Sequence, residues 1–230
     1  MMERKAYYPL FADLNGRLCV VVGGGAIAQR KVTTLLSYGA RITVVSPTVT
    51  NRLATYARQG KIRHMNRRFR PADLKGAWLV YAATNEEAIN ESVYRSATRA
   101  RIFTNVVDQK PFCSFIAPAI VKQDDLVIAI STGGASPTIA KQLRRELTRT
   151  VGAEYARMIR MLGSLRETAR HHLPSYQDRK RYFDRLVQGP VFGRVRRGQV
   201  AAARRDALKL LEKQRRQIPI SKHQSSNNHQ

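Results

Sequence analysis

The sequence predicts an α/β fold with a parallel sheet in its first half, and three observations predict it. An apolar run, Leu18-Cys-Val-Val-Val22, enters glycines spaced Gly23-x-Gly25-x-x-Ala28 and passes into a helical pattern. Buried-strand and helix patterns then alternate as far as Asp108. Beyond that residue the alternation stops, and paired apolar runs and long amphipathic stretches replace it. Strands separated by helices imply parallel βαβ units and a sheet covered on both faces. A strand turning on glycines into a helix N-terminus brings bare backbone N–H groups beside a dinucleotide pyrophosphate, the arrangement of a Rossmann-like domain.

The elements follow in chain order. Residues 17–22 read as the first buried strand, and 26–38 as a helix with Ile27, Leu35 and Leu36 inward and Gly39 as its stop. Ile42–Val45 is a second buried strand, ended by Ser46-Pro47. A helix over 48–59 ends at Gly60, and Ile62–Met65 is a weak strand. Trp78–Ala83 is a strong strand, followed by Thr84-Asn85 and a polar helix to Ala100. Ile102–Val107 closes the set. Phe115–Val121 and Leu126–Ser131, joined by Lys122-Gln-Asp-Asp125, read as a hairpin. Ser136 suits the N-cap of the next helix and Pro137 its first position. Ile139, Leu143 and Leu147 form one apolar stripe on it. So small a hairpin-plus-helix unit has little core of its own, so docking on a second copy, giving a dimer, is the expectation. Residues 152–216 read as helical, punctuated by Pro174, Gly189-Pro190 and Gly198. The resulting division is a nucleotide-binding domain over 1–112, a dimerisation region over 113–150, a helical region over 151–218 and a disordered tail over 219–230.

Composition narrows the function. The formal net charge is +25 across 230 residues, which favours polyanionic partners: nucleic acid, an acidic membrane surface or a small molecule with many carboxylates. No helix-turn-helix or aromatic RNA signature supports nucleic acid. No apolar run reaches the roughly 18 residues that span a bilayer, and Met1–Leu10 does not read as a signal peptide. The two cysteines, Cys19 and Cys113, form no disulfide framework, so the expected compartment is the cytoplasm. The histidines show no metal-ligand spacing, so no built-in metal site is expected.

Ligands of open α/β sheets bind outside the carboxyl ends of the strands. Four loops qualify. In the first, Gly23 permits a tight turn, Gly25 lets phosphates approach, and Ala26 and Ile27 open the helix. In the second, Ser46-Pro47 stands where an acidic residue often holds the ribose. The serine can bond a ribose without repelling a 2′-phosphate, or the pair simply ends the strand. In the third, Thr84 and Asn85 either face the nicotinamide ribose or cap the next helix. In the fourth, Asp108 is a carboxylate at the lip of a strand, able to take a proton, or an Asp that starts a turn. Gly133-Gly134, before a helix, is either an anion-binding nest or an ordinary turn.

Five segments in register carry a resemblance: Tyr8-Pro-Leu-Phe11, Val22 to Lys31, Ala82-Ala-Thr-Asn85, Asn105-Val-Val-Asp108 with Cys113-x-Phe115-x-x-Pro118-Ala119, and Ser131 to Pro137. Together they resemble the precorrin-2 dehydrogenase / sirohydrochlorin ferrochelatase family, of the sirohaem synthase N-terminal type, over residues 7–150. The resemblance implies NAD as cofactor, a homodimer, and an octacarboxylate tetrapyrrole as substrate, which accounts for part of the positive charge. It implies Asp108 as the catalytic residue, and Asn105, Ser131, Gly133 and Gly134 as substrate-binding residues. It further implies that some members insert Fe²⁺, so Fe²⁺ or Co²⁺ is a possible second substrate. The competing reading is a non-catalytic tetrapyrrole- or nucleotide-binding regulator on the same fold.

Overall fold

The computed structural model describes residues 6–217; the tail expected over 219–230 lies outside them. The chain divides into two compact units. One runs to Ala117 and takes in Thr132–Ser136; the other holds Pro118–Ser131 and the chain from Pro137 onward.

The first unit is a five-stranded parallel sheet. Its strands are β1 (Leu18–Val22), β2 (Arg41–Val45), β3 (Arg63–Met65), β4 (Leu79–Ala82) and β5 (Phe103–Val106), in the order β3-β2-β1-β4-β5. Register pairs Val20 with Thr43 on one side and with Val80 on the other. Helices α1 (Ala26–Leu36), α2 (Asn51–Arg58) and α3 (Glu87–Arg99) connect the strands. Alternation along β1 sends Cys19 and Val21 to one face and Val20 and Val22 to the other, so the sheet carries a core on each side. The helix expected over 26–38 ends at Leu36. Its buried positions are Ala28, Val32 and Leu35, while Ile27 and Leu36 are half-buried. Leu35 is inward as expected, and the small Ala28 and β-branched Val32 complete the face that meets the strands. A salt bridge closes the β3–β4 connection. Arg67 Nη2 lies 2.5 Å from Asp73 Oδ1, and Asp73 also accepts from the Arg70 backbone N–H at 2.8 Å.

The second unit begins with the hairpin β6 (Ala119–Gln123) and β7 (Leu126–Ile130). Gln123 pairs with Leu126 across a two-residue turn, where Asp124 takes φ +51°. The first strand starts later than its apolar run, because Phe115 packs edge-on against Tyr81 in the sheet unit, 5.3 Å between ring centroids. Helix α4 (Pro137–Thr150) packs on the hairpin, and α5 (Ala153–His172), α6 (Tyr176–Gln188), α7 (Pro190–Arg196) and α8 (Val200–Arg216) follow. The hairpin and α4 thus share a compact unit with the C-terminal helices, where the sequence reading divided them at 150. The core of these helices gathers Met161, Leu165, Leu173, Leu186, Val195 and Leu211 around Tyr182. The Tyr182 hydroxyl donates to the Ala207 carbonyl at 3.0 Å; burial pushes its pKa up to about 12. On α4, Ile139 and Leu143 remain exposed. Among the described residues no helix is long and apolar enough to cross a membrane.

Candidate functional site

The strand order reverses direction at β1 and β4, and the loops leaving their carboxyl ends form the crevice where open sheets bind ligands. Three consecutive glycines shape it, each differently. Gly23 takes φ +114°, and a Cβ there would stand 2.3 Å from the Ala83 carbonyl oxygen. Gly24 is packed as tightly on the other side, since a Cβ would stand 1.9 Å from the Thr48 carbonyl oxygen. Gly25 is open: nothing lies within 4 Å of the Cβ it lacks. It is the N-cap of α1, with no side-chain cap and no acidic residue in the first turn. An open cradle at an uncapped, acid-free helix N-terminus fits a dinucleotide pyrophosphate, with Gly25, Ala26 and Ile27 presenting backbone rather than side chain. The sequence assigned close approach to Gly25 and overlooked Gly24. The tight contacts that make Gly24 obligatory come from a loop 24 residues further on and have no local signal.

The two neighbouring loops spend much of their polar capacity on themselves. Ser46 is buried and donates its hydroxyl to the Thr48 carbonyl at 2.7 Å, so a ribose hydroxyl there meets an acceptor. Pro47 beside it is exposed. Thr84 accepts from the Glu86 N–H at 3.1 Å and lies 2.8 Å from Asn90 Oδ1, and the Asn90 amide donates to the Thr84 carbonyl at 3.0 Å. Thr84 therefore organises the entry to α3, while Asn85 is exposed.

Asp108 stands at the end of β5. The Val107 N–H still bonds the Ala82 carbonyl at 2.9 Å, which carries the chain alongside β4 before it turns. Asp108 itself takes φ +61°, a left-handed conformation that Asp adopts more readily than most residues. The exposed carboxylate projects from a braced turn. Gln109 N–H bonds the Val106 carbonyl at 3.2 Å, and the buried Cys113 thiol donates to the Val106 and Gln109 carbonyls at 3.2 and 3.4 Å. Lys31, from α1, holds its ammonium 4.8 Å from the centroid of the Tyr81 ring. Burial lowers its pKa below the usual lysine range, the Arg30 charge adds to this, and the Asp108 carboxylate opposes both. The Asp108 carboxylate thus lies within electrostatic range of the Lys31 ammonium. Lys31 had no signal beyond its place in the glycine segment.

The remaining sequence-predicted residues are more dispersed. Asn105 is buried, and its amide donates to the Phe115 carbonyl at 3.0 Å; it ties the 113–115 segment to the edge strand rather than projecting outward. Gly133 and Gly134 take φ +60° and +76°. Lys110 reaches this loop, and its ammonium donates to the Gly134 carbonyl, leaving so little room that a Cβ at Gly134 would stand 2.7 Å from Lys110 Cε. The loop is thereby tied to the Asp108 turn within one unit. Ser131 is exposed and belongs to the other unit. Among the described residues no group of three or more His, Cys, Asp or Glu is arranged to hold a metal ion.

Comparisons with known proteins place the chain beside a family. Residues 10–119 match the family model described as "Putative NAD(P)-binding". Residues 123–150 match "Sirohaem biosynthesis protein central" and 154–211 match "Sirohaem synthase dimerisation region". The dimerisation description therefore falls on α5–α8, whereas the sequence reading gave that role to 113–150. A siroheme synthase of Methylobacillus flagellatus is 40% identical over 196 residues, 85% of this chain and 42% of the relative. Siroheme synthase 3 of Aeromonas hydrophila is 39% identical over 198 residues, 86% of this chain and 42% of the relative. The chain thus spans less than half the length of these curated relatives. The solved structure named "SirC, precorrin-2 dehydrogenase" superposes with a TM-score of 0.71 at 27% identity, covering 90% of this chain and all of that one. The sheet unit is a nicotinamide-dinucleotide-binding domain.

Proposed function

We propose the function of this chain from one premise: it belongs to the precorrin-2 dehydrogenase / sirohydrochlorin ferrochelatase family, of the sirohaem synthase N-terminal type. The chain oxidises precorrin-2 to sirohydrochlorin with NAD. The observation that carries this reading is Asp108 on a braced left-handed turn, on the same sheet edge as the open Gly25 cradle. Gly23 and Gly25, with the N–H groups of Ala26 and Ile27, hold the pyrophosphate. Ser46 and Pro47 border one ribose, and Thr84 and Asn85 the other. When bound, the nicotinamide ring supplies the acceptor for one hydride, two electrons with one proton, from the macrocycle.

The chain's own part is position and proton. Asp108 takes the second proton released from the macrocycle, so each turnover yields sirohydrochlorin, the reduced dinucleotide and one proton. The left-handed turn holds its carboxylate outward, toward the ring it must meet. Asn105 acts by fixing the 113–115 segment behind that turn. Gly133 and Gly134, in the same unit as Asp108, offer backbone groups to substrate carboxylates, and the basic surface draws the polyanion in. In the metal-insertion reaction, with Fe²⁺ or Co²⁺ as substrate, Asp108 would strip pyrrole protons by the same chemistry. NAD is favoured over NADP through Ser46, which closes on Thr48 and offers no cation to a 2′-phosphate.

The test is one assay of purified chain with precorrin-2 and NAD⁺ or NADP⁺, followed by Fe²⁺ or Co²⁺. Faster reduction of NAD⁺ than of NADP⁺ is expected. Tight binding of both ligands with no reduction would favour a non-catalytic regulator. A homodimer is proposed on the dimerisation match over α5–α8, and the exposed Ile139 and Leu143 of α4 are proposed to extend its interface. Ile139→Glu with Leu143→Glu is expected to shift the sedimentation coefficient from dimer to monomer, and an unshifted dimer would remove α4 from the interface.

A further inference from the structure

Gln109 follows Asp108 directly, and its side chain has no role in the scheme above. Its backbone is fully used. The N–H bonds the Val106 carbonyl at 3.2 Å, and its carbonyl accepts from the Phe112 N–H at 3.0 Å and from the Cys113 thiol at 3.4 Å. Its side-chain oxygen is not used: Oε1 is buried and has no hydrogen-bond partner. Buried amide oxygens are rarely left so, because desolvation without a bond costs more than one ordinary hydrogen bond returns. Among the described residues two other buried side-chain atoms are in this state, Arg157 Nε and Gln214 Oε1, and both lie in the helical unit, whereas Gln109 stands at the carboxyl ends of the strands.

Its place narrows what can satisfy it. The turn that carries Gln109 runs beside β4, bonded through Val107 to Ala82, on the side of the sheet away from Ser46. In a dinucleotide laid across the strand-order reversal, that is the half opposite the Ser46 ribose. An amide oxygen accepts and cannot donate. We infer that Gln109 is a ligand-contacting residue, its Oε1 accepting a hydrogen bond from an N–H of a bound molecule at the Asp108 turn. Two such donors enter this site: the carboxamide of the nicotinamide ring and the pyrrole N–H groups of the tetrapyrrole. Either contact fixes a ring next to the Asp108 carboxylate. The inference rests on the dehydrogenase reading and adds to it a residue that sets ring orientation.

The substitution Gln109→Met keeps length and volume and removes the acceptor. A buried oxygen that is unpartnered in the free chain costs stability, so the variant is expected to melt at the same temperature as wild type or higher. A structural role for the side chain predicts the opposite, a lower melting temperature. Calorimetric titration is done with NAD⁺ and with 3-acetylpyridine adenine dinucleotide, which lacks the carboxamide N–H. If the carboxamide is the donor, wild type prefers NAD⁺ by about five- to ten-fold and the variant binds both alike. If the pyrrole is the donor, dinucleotide affinities are unchanged and sirohydrochlorin, followed by its visible absorbance, binds about five- to ten-fold more weakly to the variant. Unchanged affinities for both ligands, or a lowered melting temperature, would overturn the inference while leaving the dehydrogenase reading intact. A wild-type chain that binds neither ligand overturns that reading and this inference together.

Discussion

The sheet unit fills its interior with Val20, Val21, Val22, Val44 and Val80, whereas the helical unit fills its own with Leu165, Leu173, Leu186, Leu211 and Tyr182. The backbones differ as sharply. Among the described residues the helical unit has positive φ at Asp124 and Gly198, and every other such residue, including Gly23, Asp108, Gly133 and Gly134, lies in the sheet unit. β-branched residues suit a sheet buried on both faces, and residues not branched at Cβ suit helix against helix. The difference teaches where function is built. A parallel sheet ends all its strands on one edge, and the turns there must leave ordinary backbone geometry to hold a ligand. A helical bundle can satisfy its packing without such turns.

Four changes test this division, beginning with the largest expected effect. Asp108→Asn keeps a residue that tolerates the left-handed turn. It is expected to lower precorrin-2 turnover roughly 10²–10⁴-fold while calorimetric dinucleotide affinity and melting temperature stay the same. A fully active variant would end the catalytic assignment. Gly23→Ala sets a Cβ against the Ala83 carbonyl at a positive φ. A destabilisation of about 3 kcal/mol or more is expected in urea titration, with loss of dinucleotide binding. If the near-ultraviolet signal of the helical unit disappears at the same urea concentration, the two units unfold as one and the comparison is too sharp.

Tyr182→Phe removes the hydroxyl bonded to Ala207 in the helical core. It is expected to cost about 1–2 kcal/mol in urea titration and to leave dinucleotide affinity unchanged; altered affinity would show that the helical core shapes the site. The smallest effect concerns acid. The hydrogen-bonded Arg67 guanidinium holds the Asp73 carboxyl below its usual 3.8. The native state therefore binds fewer protons than the unfolded chain in that window. Its contribution is complete above about pH 4 and is lost as pH falls through the depressed native value. Asp73→Asn should flatten that acid slope in the sheet unit by about 1 kcal/mol. An unchanged slope would place acid sensitivity elsewhere.

The parts of the site that were legible are those defined by near neighbours in sequence. Gly23 and Gly25 follow a β-branched run and precede a helical pattern, so their roles could be read within a dozen residues. Asp108 was legible as a polar residue at a strand end. Its left-handed backbone, the thiol brace of its turn from Cys113 and its nearness to Lys31 were not, because each depends on contacts made in folding. Asn105 and Thr84 show the same limit. Both are polar residues at strand ends, and both proved to spend their side chains on neighbouring backbone and side-chain groups rather than face outward freely. In the second half, composition announced helices, but the grouping of the hairpin and α4 with α5–α8 was invisible, since amphipathic stretches do not say which face meets which.

The sequence by itself determined the parallel sheet, the glycine turn at the carboxyl ends of its strands and the presence of a carboxylate at the end of another strand. These follow from periodicity and from the backbone freedom of particular residues, which are local properties. Tertiary structure alone decided which glycine had to be bare, which polar side chains were consumed by the scaffold and which buried oxygen was left without a partner. Those outcomes depend on distances between segments far apart in the chain, and such distances exist only once the sheet has assembled.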